Sequence, residues 1–167
     1  MIILGIDPGL ATTGFAVVEF NKEKSRALSY GIISSKARER ISKRLRKIYQ
    51  ELKKIIKKYN PGLLAIENIY FAKNAKTAIN VGKTIGVILL LAEEEKISFK
   101  EFTPLEIKQF LTGFGRADKN QVQNMVKRLL NLPSLPRPDD AADALGIALI
   151  AYQHKTYEKD QDCPPCQ

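Results

Sequence analysis

The sequence predicts a mixed α/β sheet flanked by helices, and three observations carry that expectation. The chain opens on three strand-like runs joined by short polar turns, which read as an antiparallel meander. A long amphipathic helix then leads into a second short apolar run, and a strand that follows a helix returns by a right-handed crossover to lie parallel to its partner. The rest is helix-rich with one further short strand, giving five strands in all, three antiparallel and then parallel additions.

The first run, Met1 to Asp7, is continuously apolar and is closed by Pro8-Gly9, as in a strand buried on both faces. Thr13 to Phe20 and Leu28 to Ile33 are rich in β-branched and aromatic residues, with a polar turn around Asn21-Lys22 between them. Ala37 to Tyr59 is the predicted long helix. Ile41, Leu45, Ile48, Leu52, Ile55 and Tyr59 form its apolar stripe, and Lys43, Arg44, Lys47, Lys54, Lys57 and Lys58 lie on what reads as a solvated back. Asn60-Pro61-Gly62 stops it, and Leu63 to Ile66 forms the parallel strand, ending in Glu67.

Ala75 to Glu93 is a second helix, in which Ala78, Gly82 and Gly86 share a face that invites close approach of the sheet, a second subunit or DNA. Phe99 to Phe102 is the last strand. Thr103-Pro104-Leu105-Glu106 opens a helix with a capping box and Pro at its first position. A glycine-containing loop from Thr112 to Ala117 leads to a helix capped by Asp118 with Gln121, running to about Leu130. After a proline-rich connector, the final helix is expected from Asp140 to about His154, with Ala144, Ile147, Ala148 and Ala151 facing inward. One domain is expected over residues 1–156, with 157–167 as a disordered tail carrying Cys163 and Cys166.

The chain has 27 basic and 18 acidic side chains, a formal charge of +9 that suits a polyanionic partner such as nucleic acid. His154 is the only histidine and Trp is absent, so chemistry must rest on carboxylates, lysines or hydroxyls. No secretory signal pattern or membrane-length apolar run is present, and a cytoplasmic location is expected.

The acids are placed where a metal site would need them. Asp7 ends a buried strand, where it can also form a turn with Pro8-Gly9, and Glu67 ends the parallel strand, putting both at the carboxyl edge where open α/β sheets bind ligands. Asp140 and Asp143, three apart, open the last helix among small alanines; such acids also cap helices and complement the dipole. Together the four carboxylates form an oxygen-only set suited to Mg²⁺ or Mn²⁺. Two such ions about 4 Å apart can clamp a phosphodiester without any nucleophilic side chain. Asp139 adds a neighbouring acid; the three-residue spacing to Asp143 favours Asp140.

Four blocks, Gly5-Ile-Asp-Pro-Gly9, Ala65-Ile-Glu67 with Ala72-Lys-Asn74, Lys119-Asn-Gln-Val-Gln123 and Asp140-Ala-Ala-Asp-Ala-Leu145, resemble in order and separation those of the RuvC family of bacterial Holliday junction resolvases. The resemblance implies a ribonuclease H-like fold, a homodimer, and symmetric nicking of four-way junction DNA to 5′-phosphate and 3′-hydroxyl ends. It also implies cooperation with the RuvA–RuvB branch-migration complex and preference for the sequence cut. It assigns Asp7, Glu67, Asp140 and Asp143 as metal-binding catalytic acids, and places Lys108 and Lys119 near the scissile phosphate. Tyr70 falls where the family has an aromatic against a base, beside Phe71 as a second candidate. Candidate DNA contacts are Tyr70, Lys73, Lys76, Lys83, Lys108, Arg116 and Lys119. Three other readings compete. The turn Asp7 to Gly14 also resembles the first phosphate-binding turn of actin-like ATPases and sugar kinases, which need two copies of the domain. The others are a non-catalytic junction-binding protein and another ribonuclease H-like nuclease acting on RNA–DNA hybrids.

Overall fold

The computed structural model describes residues 1–21, 24–68 and 75–161, with the backbone alone at 75–76 and 156–161. Strands β1 (Ile2–Asp7), β2 (Thr12–Phe20) and β3 (Ser25–Ser34) form the antiparallel meander. Helix α1 (Ile41–Tyr59) crosses to β4 (Leu63–Glu67), and α2 (Ala75–Glu94) crosses to β5 (Phe99–Phe102). Helices α3 (Pro104–Thr112), α4 (Lys119–Leu129) and α5 (Asp139–Gln161) complete the order. The sheet runs β3-β2-β1-β4-β5, with β1–β4 and β4–β5 parallel, as the crossover argument requires.

The sheet carries a core on each face. Leu4, Ile6 and Val17 on one side pack against Ile48, Leu52 and Ile56 of α1 and Ile88 and Leu91 of α2. Ile3, Ala16 and Val18 on the other meet α5, which is itself covered by Ile107 and Leu111 of α3 and Val122 and Val126 of α4. This layering explains where the sequence expectations shift. Helix α5 is buried from Ala141 through Ala151 except at Asp143, not on one face only, because the sheet covers one side and α3 and α4 the other. Its helical backbone continues to Gln161, so residues 157–161, expected in the tail, extend the last helix. Cys163 and Cys166 lie outside the described residues.

Helix α1 starts at Ile41, not Ala37. Residues 37–39 form a turn in which the Lys36 amide donates to the Glu39 carboxylate, and Arg40 enters the helix without a side-chain cap. Ile41 is exposed as a result, and Ile56 rather than Ile55 is fully buried. Both predicted capping boxes form, Thr103 with Glu106 and Asp118 with Gln121, since each is set by residues within one turn. No described helix is long and apolar enough to cross a membrane.

Two glycines set how deeply α5 sits. A Cβ at Gly5 of β1 would lie 2.2 Å from the Ala144 carbonyl oxygen, and one at Gly14 of β2 would lie 1.9 Å from that of Asp140. The helix therefore rests on bare strand backbone. Small alanines on α5 complete the contact, and the acidic first turn is pressed onto the sheet edge. By contrast a Cβ at Gly82 or Gly86 meets nothing within 4 Å, so the sheet is not the neighbour their spacing invites.

Candidate active site

The pairing register builds the site. Asp7 lies opposite Gly14 across β1–β2, and Ile6 lies beside Ile66 across β1–β4, which brings Asp7 and Glu67 to adjacent strand ends. Gly14 is also the seat of the Asp140 backbone, so β1, β2 and the start of α5 meet at one point. Asp143, one turn further along α5, is the one residue of that helix between Ala141 and Ala151 that is not fully buried.

The electrostatics report the crowding. Burial pushes the Asp7 carboxyl up to about 8, and the charges of Glu67, Asp143 and Asp140 add to the shift. Burial and the Asp143 charge raise Glu67 to about 7, against the opposing influence of its hydrogen bond with Asp7 and the charge of Lys108. Asp143 is raised as well, chiefly by burial, with Lys119 and Lys108 acting in the opposite direction. Asp7 and Glu67 are thus both raised, the response expected of like charges held together out of water and only partly offset by Lys108.

Among the described residues no three acidic, histidine or cysteine side chains enclose a cation as they stand. That is compatible with Mg²⁺, which keeps several waters and binds through one or two carboxylates plus substrate phosphate oxygens. The donor set is oxygen-only and the carboxylates remain raised despite Lys108 and Lys119, so these residues fit a hard divalent cation.

Two grooves flank the acids. A cavity of about 260 Å³ is lined by Glu67, Asp143, Lys108 and Lys119 over a floor of Ile107, Val122 and Ile147. A second, of about 410 Å³, is lined by Asp140 with Gly9, Thr12, Thr77, Asn80 and Arg44. Arg44 is expected on the solvated back of α1. In the structure it lines the same groove as Asp140, and its Nε donates to Ser35 Oγ at 2.8 Å. Only the pairing of β3 with β2 brings Ser35 there, so no local signal marked Arg44.

Asp139 points elsewhere. Its carboxylate lies 3.1 Å from Lys119 Nζ and 3.3 Å from Arg137, and accepts a hydrogen bond from Gln123 Nε2 at 2.8 Å. These partners hold it below the usual carboxylate range, Lys119 and Gln123 contributing most. Burial works to lower the Lys119 ammonium, but the Asp139 hydrogen bond and the charges of Asp143, Asp139 and Asp140 outweigh it. Lys83 and Arg116 are exposed, on α2 and on the α3–α4 loop. Tyr70, Phe71 and Lys73 lie outside the described residues, as does the side chain of Lys76.

The chain is similar to known proteins over most of its length. Residues 3–151 match the family model described as crossover junction endodeoxyribonuclease RuvC. A protein of that name from Ruminiclostridium cellulolyticum is 49% identical over 149 residues, covering 89% of this chain and 90% of the relative. One from Halothermothrix orenii is 48% identical with the same coverage. Among solved structures, Thermus thermophilus RuvC in complex with Holliday junction substrate superposes with a TM-score of 0.88 at 31% identity, covering 94% of this chain and 96% of the other.

Proposed function

The chain belongs to the RuvC family of crossover junction endodeoxyribonucleases, and from that premise we propose that Asp7, Glu67, Asp140 and Asp143 form the cation site with which it resolves four-way (Holliday) DNA junctions. The observation that carries the reading is the convergence of these acids on Asp7, whose carboxyl is driven up by burial and by the other three. Two Mg²⁺ or Mn²⁺ ions per site are the cations this donor set suits. When bound, they would supply Lewis acidity to the phosphodiester and lower the pKa of a water toward neutrality, so that it can lose its proton and become the nucleophile.

This chain's own residues do the rest. Lys108 and Lys119, on facing helices across the cavity, bind the non-bridging oxygens of the scissile phosphate and meet the charge that builds there. Ile107, Val122 and Ile147 keep the floor dry. The described cavity lining holds no serine, cysteine or histidine to act as nucleophile, so water attacks and the 3′ oxygen leaves. Arg44 extends the positive rim into the second groove, where the strand can continue past Asp140.

Two symmetric nicks need two sites, and a homodimer supplies them. Ile79 and Leu90 are 59% and 57% exposed on α2, and with Gly82 and Gly86 they form one open stripe. We assign that stripe to the second copy. Chromosomal DNA as substrate fits a cytoplasmic location and work beside the RuvA–RuvB complex.

The direct test is a side-by-side assay of synthetic four-way junction, linear duplex and RNA–DNA hybrid, with Mg²⁺ or with chelator. Paired nicks in the junction alone, and only with cation, are expected; equal cutting of hybrid would favour a different ribonuclease H-like activity. Lys119→Ala is expected to slow single-turnover cleavage by about 10²-fold while changing junction affinity by about twofold or less. A loss confined to affinity would reduce Lys119 to a phosphate contact.

A further inference from the structure

We propose that Asp139 is a positioning residue, which holds the Lys119 ammonium at the phosphate side of the acidic cluster and takes no part in binding cations. The proposal deepens the nuclease reading above and rests on it. Asp139 and Asp140 are consecutive, and side chains one residue apart on a helix diverge by about 100°. Gly14 seats the Asp140 backbone against β2 and its charge reaches Asp7, which leaves Asp139 facing α4.

There both oxygens of Asp139 are engaged. Oδ1 accepts from Gln123 Nε2 at 2.8 Å and lies 3.3 Å from Arg137 Nη1; Oδ2 lies 3.1 Å from Lys119 Nζ. Gln123 is only 2% exposed, so its amide must find a partner inside the protein, and the partner it has is Asp139. That buried bond anchors a carboxylate whose ion pairs alone, at a half-open surface, would be weak. Lys119 and Gln123 are four residues apart on α4, one above the other, so a single carboxylate on α5 spans both.

The tether matters because of what Lys119 would otherwise do. Its side chain is 54% exposed, and a free lysine stem spreads its charge over many rotamers. Glu67 and Asp143 line the same cavity, and the charges of Asp143 and Asp140 already act on the ammonium. A lysine collapsed onto any of these would occupy an oxygen that the cations need. Asp139 gives the ammonium a partner outside the four acids and leaves its remaining protons for the phosphate.

The test uses full-length protein as wild type, Asp139→Asn, Lys119→Ala and the double variant. Single-turnover cleavage of a four-way junction in Mg²⁺ is measured beside junction affinity without cation. Asp139→Asn keeps an acceptor for Gln123. It is expected to slow cleavage by about tenfold with affinity changed by less than about twofold. In the Lys119→Ala background the same substitution is expected to change the rate by less than about twofold, since its effect runs through Lys119. In cation-free protein, the Lys119 ammonium is expected to give a resolved NMR signal that Asp139→Asn removes. Asp139→Ser, which also keeps an oxygen acceptor on that side, should repeat the pattern if the Asn variant folds poorly. Equal losses in both backgrounds, a raised Mg²⁺ requirement for Asp139→Asn, or a wild-type rate would each overturn the proposal. Wild-type protein that fails to cut junctions would instead overturn the nuclease reading on which it rests.

Discussion

Asp7→Asn is expected to lower the rate of junction cleavage by about 10³-fold or more while leaving junction affinity within about twofold, because it removes a cation ligand without adding charge toward DNA. The same change should stabilise the cation-free protein at alkaline pH. Burial and three neighbouring acids raise Asp7 to about 8, and burial raises Glu67 to about 7, both above their values in an unfolded chain. The folded state therefore holds more protons than the unfolded state between roughly pH 4 and 8, and stability falls as pH rises through that window. Asn cannot ionise and escapes much of that loss. Thermal melts in chelator at pH 5 and pH 8 should show the variant gaining on wild type at the higher pH, by about 2–4 °C for each kcal/mol of repulsion relieved. Added Mg²⁺ should narrow the gap by stabilising wild type. A variant that cleaves like wild type, or that loses stability at pH 8, would rule out Asp7 as the centre of a cation site.

The second large effect is expected at the strand glycines. Gly14→Ala would place a Cβ 1.9 Å from the Asp140 carbonyl oxygen, and Gly5→Ala one 2.2 Å from that of Ala144. Backbone cannot yield as a side-chain tip can, so α5 must lift from the sheet. Each substitution is expected to destabilise by about 3 kcal/mol or more, at the upper end for overpacked cores. Gly14→Ala should also abolish cleavage, since it displaces the helix start that carries two of the four acids. Gly62→Ala is the control: its Cβ would meet nothing within 4 Å, and its effect should stay within about 0.5 kcal/mol. Urea unfolding and junction cleavage on the three variants decide the matter; a Gly14→Ala protein as stable and active as the Gly62 variant would refute the seating of α5.

What could be read from the sequence was what short stretches determine by themselves. The capping boxes at Thr103 and Asp118 close within one turn, the run ending in Asp7 is closed by Pro8-Gly9, and the run ending in Glu67 follows the Asn60-Pro61-Gly62 helix stop. With one rule of chain handedness these suffice for the sheet and for two acids on one edge. Features set by distant partners were not legible. The single inner face expected on α5 from Ala144, Ile147, Ala148 and Ala151 understates its burial, because sheet and helices cover it from both sides. The division of labour between Asp139 and Asp140 depends on the rotation of α5, which Gly14 sets from one side and Gln123 holds from the other. Arg44 looked like one more lysine-like charge until β3 brought Ser35 beside it.

The dependence of the site on α5 has a consequence for the order of synthesis. Asp7 and Glu67 leave the ribosome early, but Asp140 and Asp143 come on the last helix described, which docks against the first strand. At about 5–20 residues per second, a growing chain spends several seconds with half of its acids made and no groove to place them in. Contacts so distant in sequence also form late in folding. Cleavage by the four acids proposed above therefore begins only with the step that completes the core.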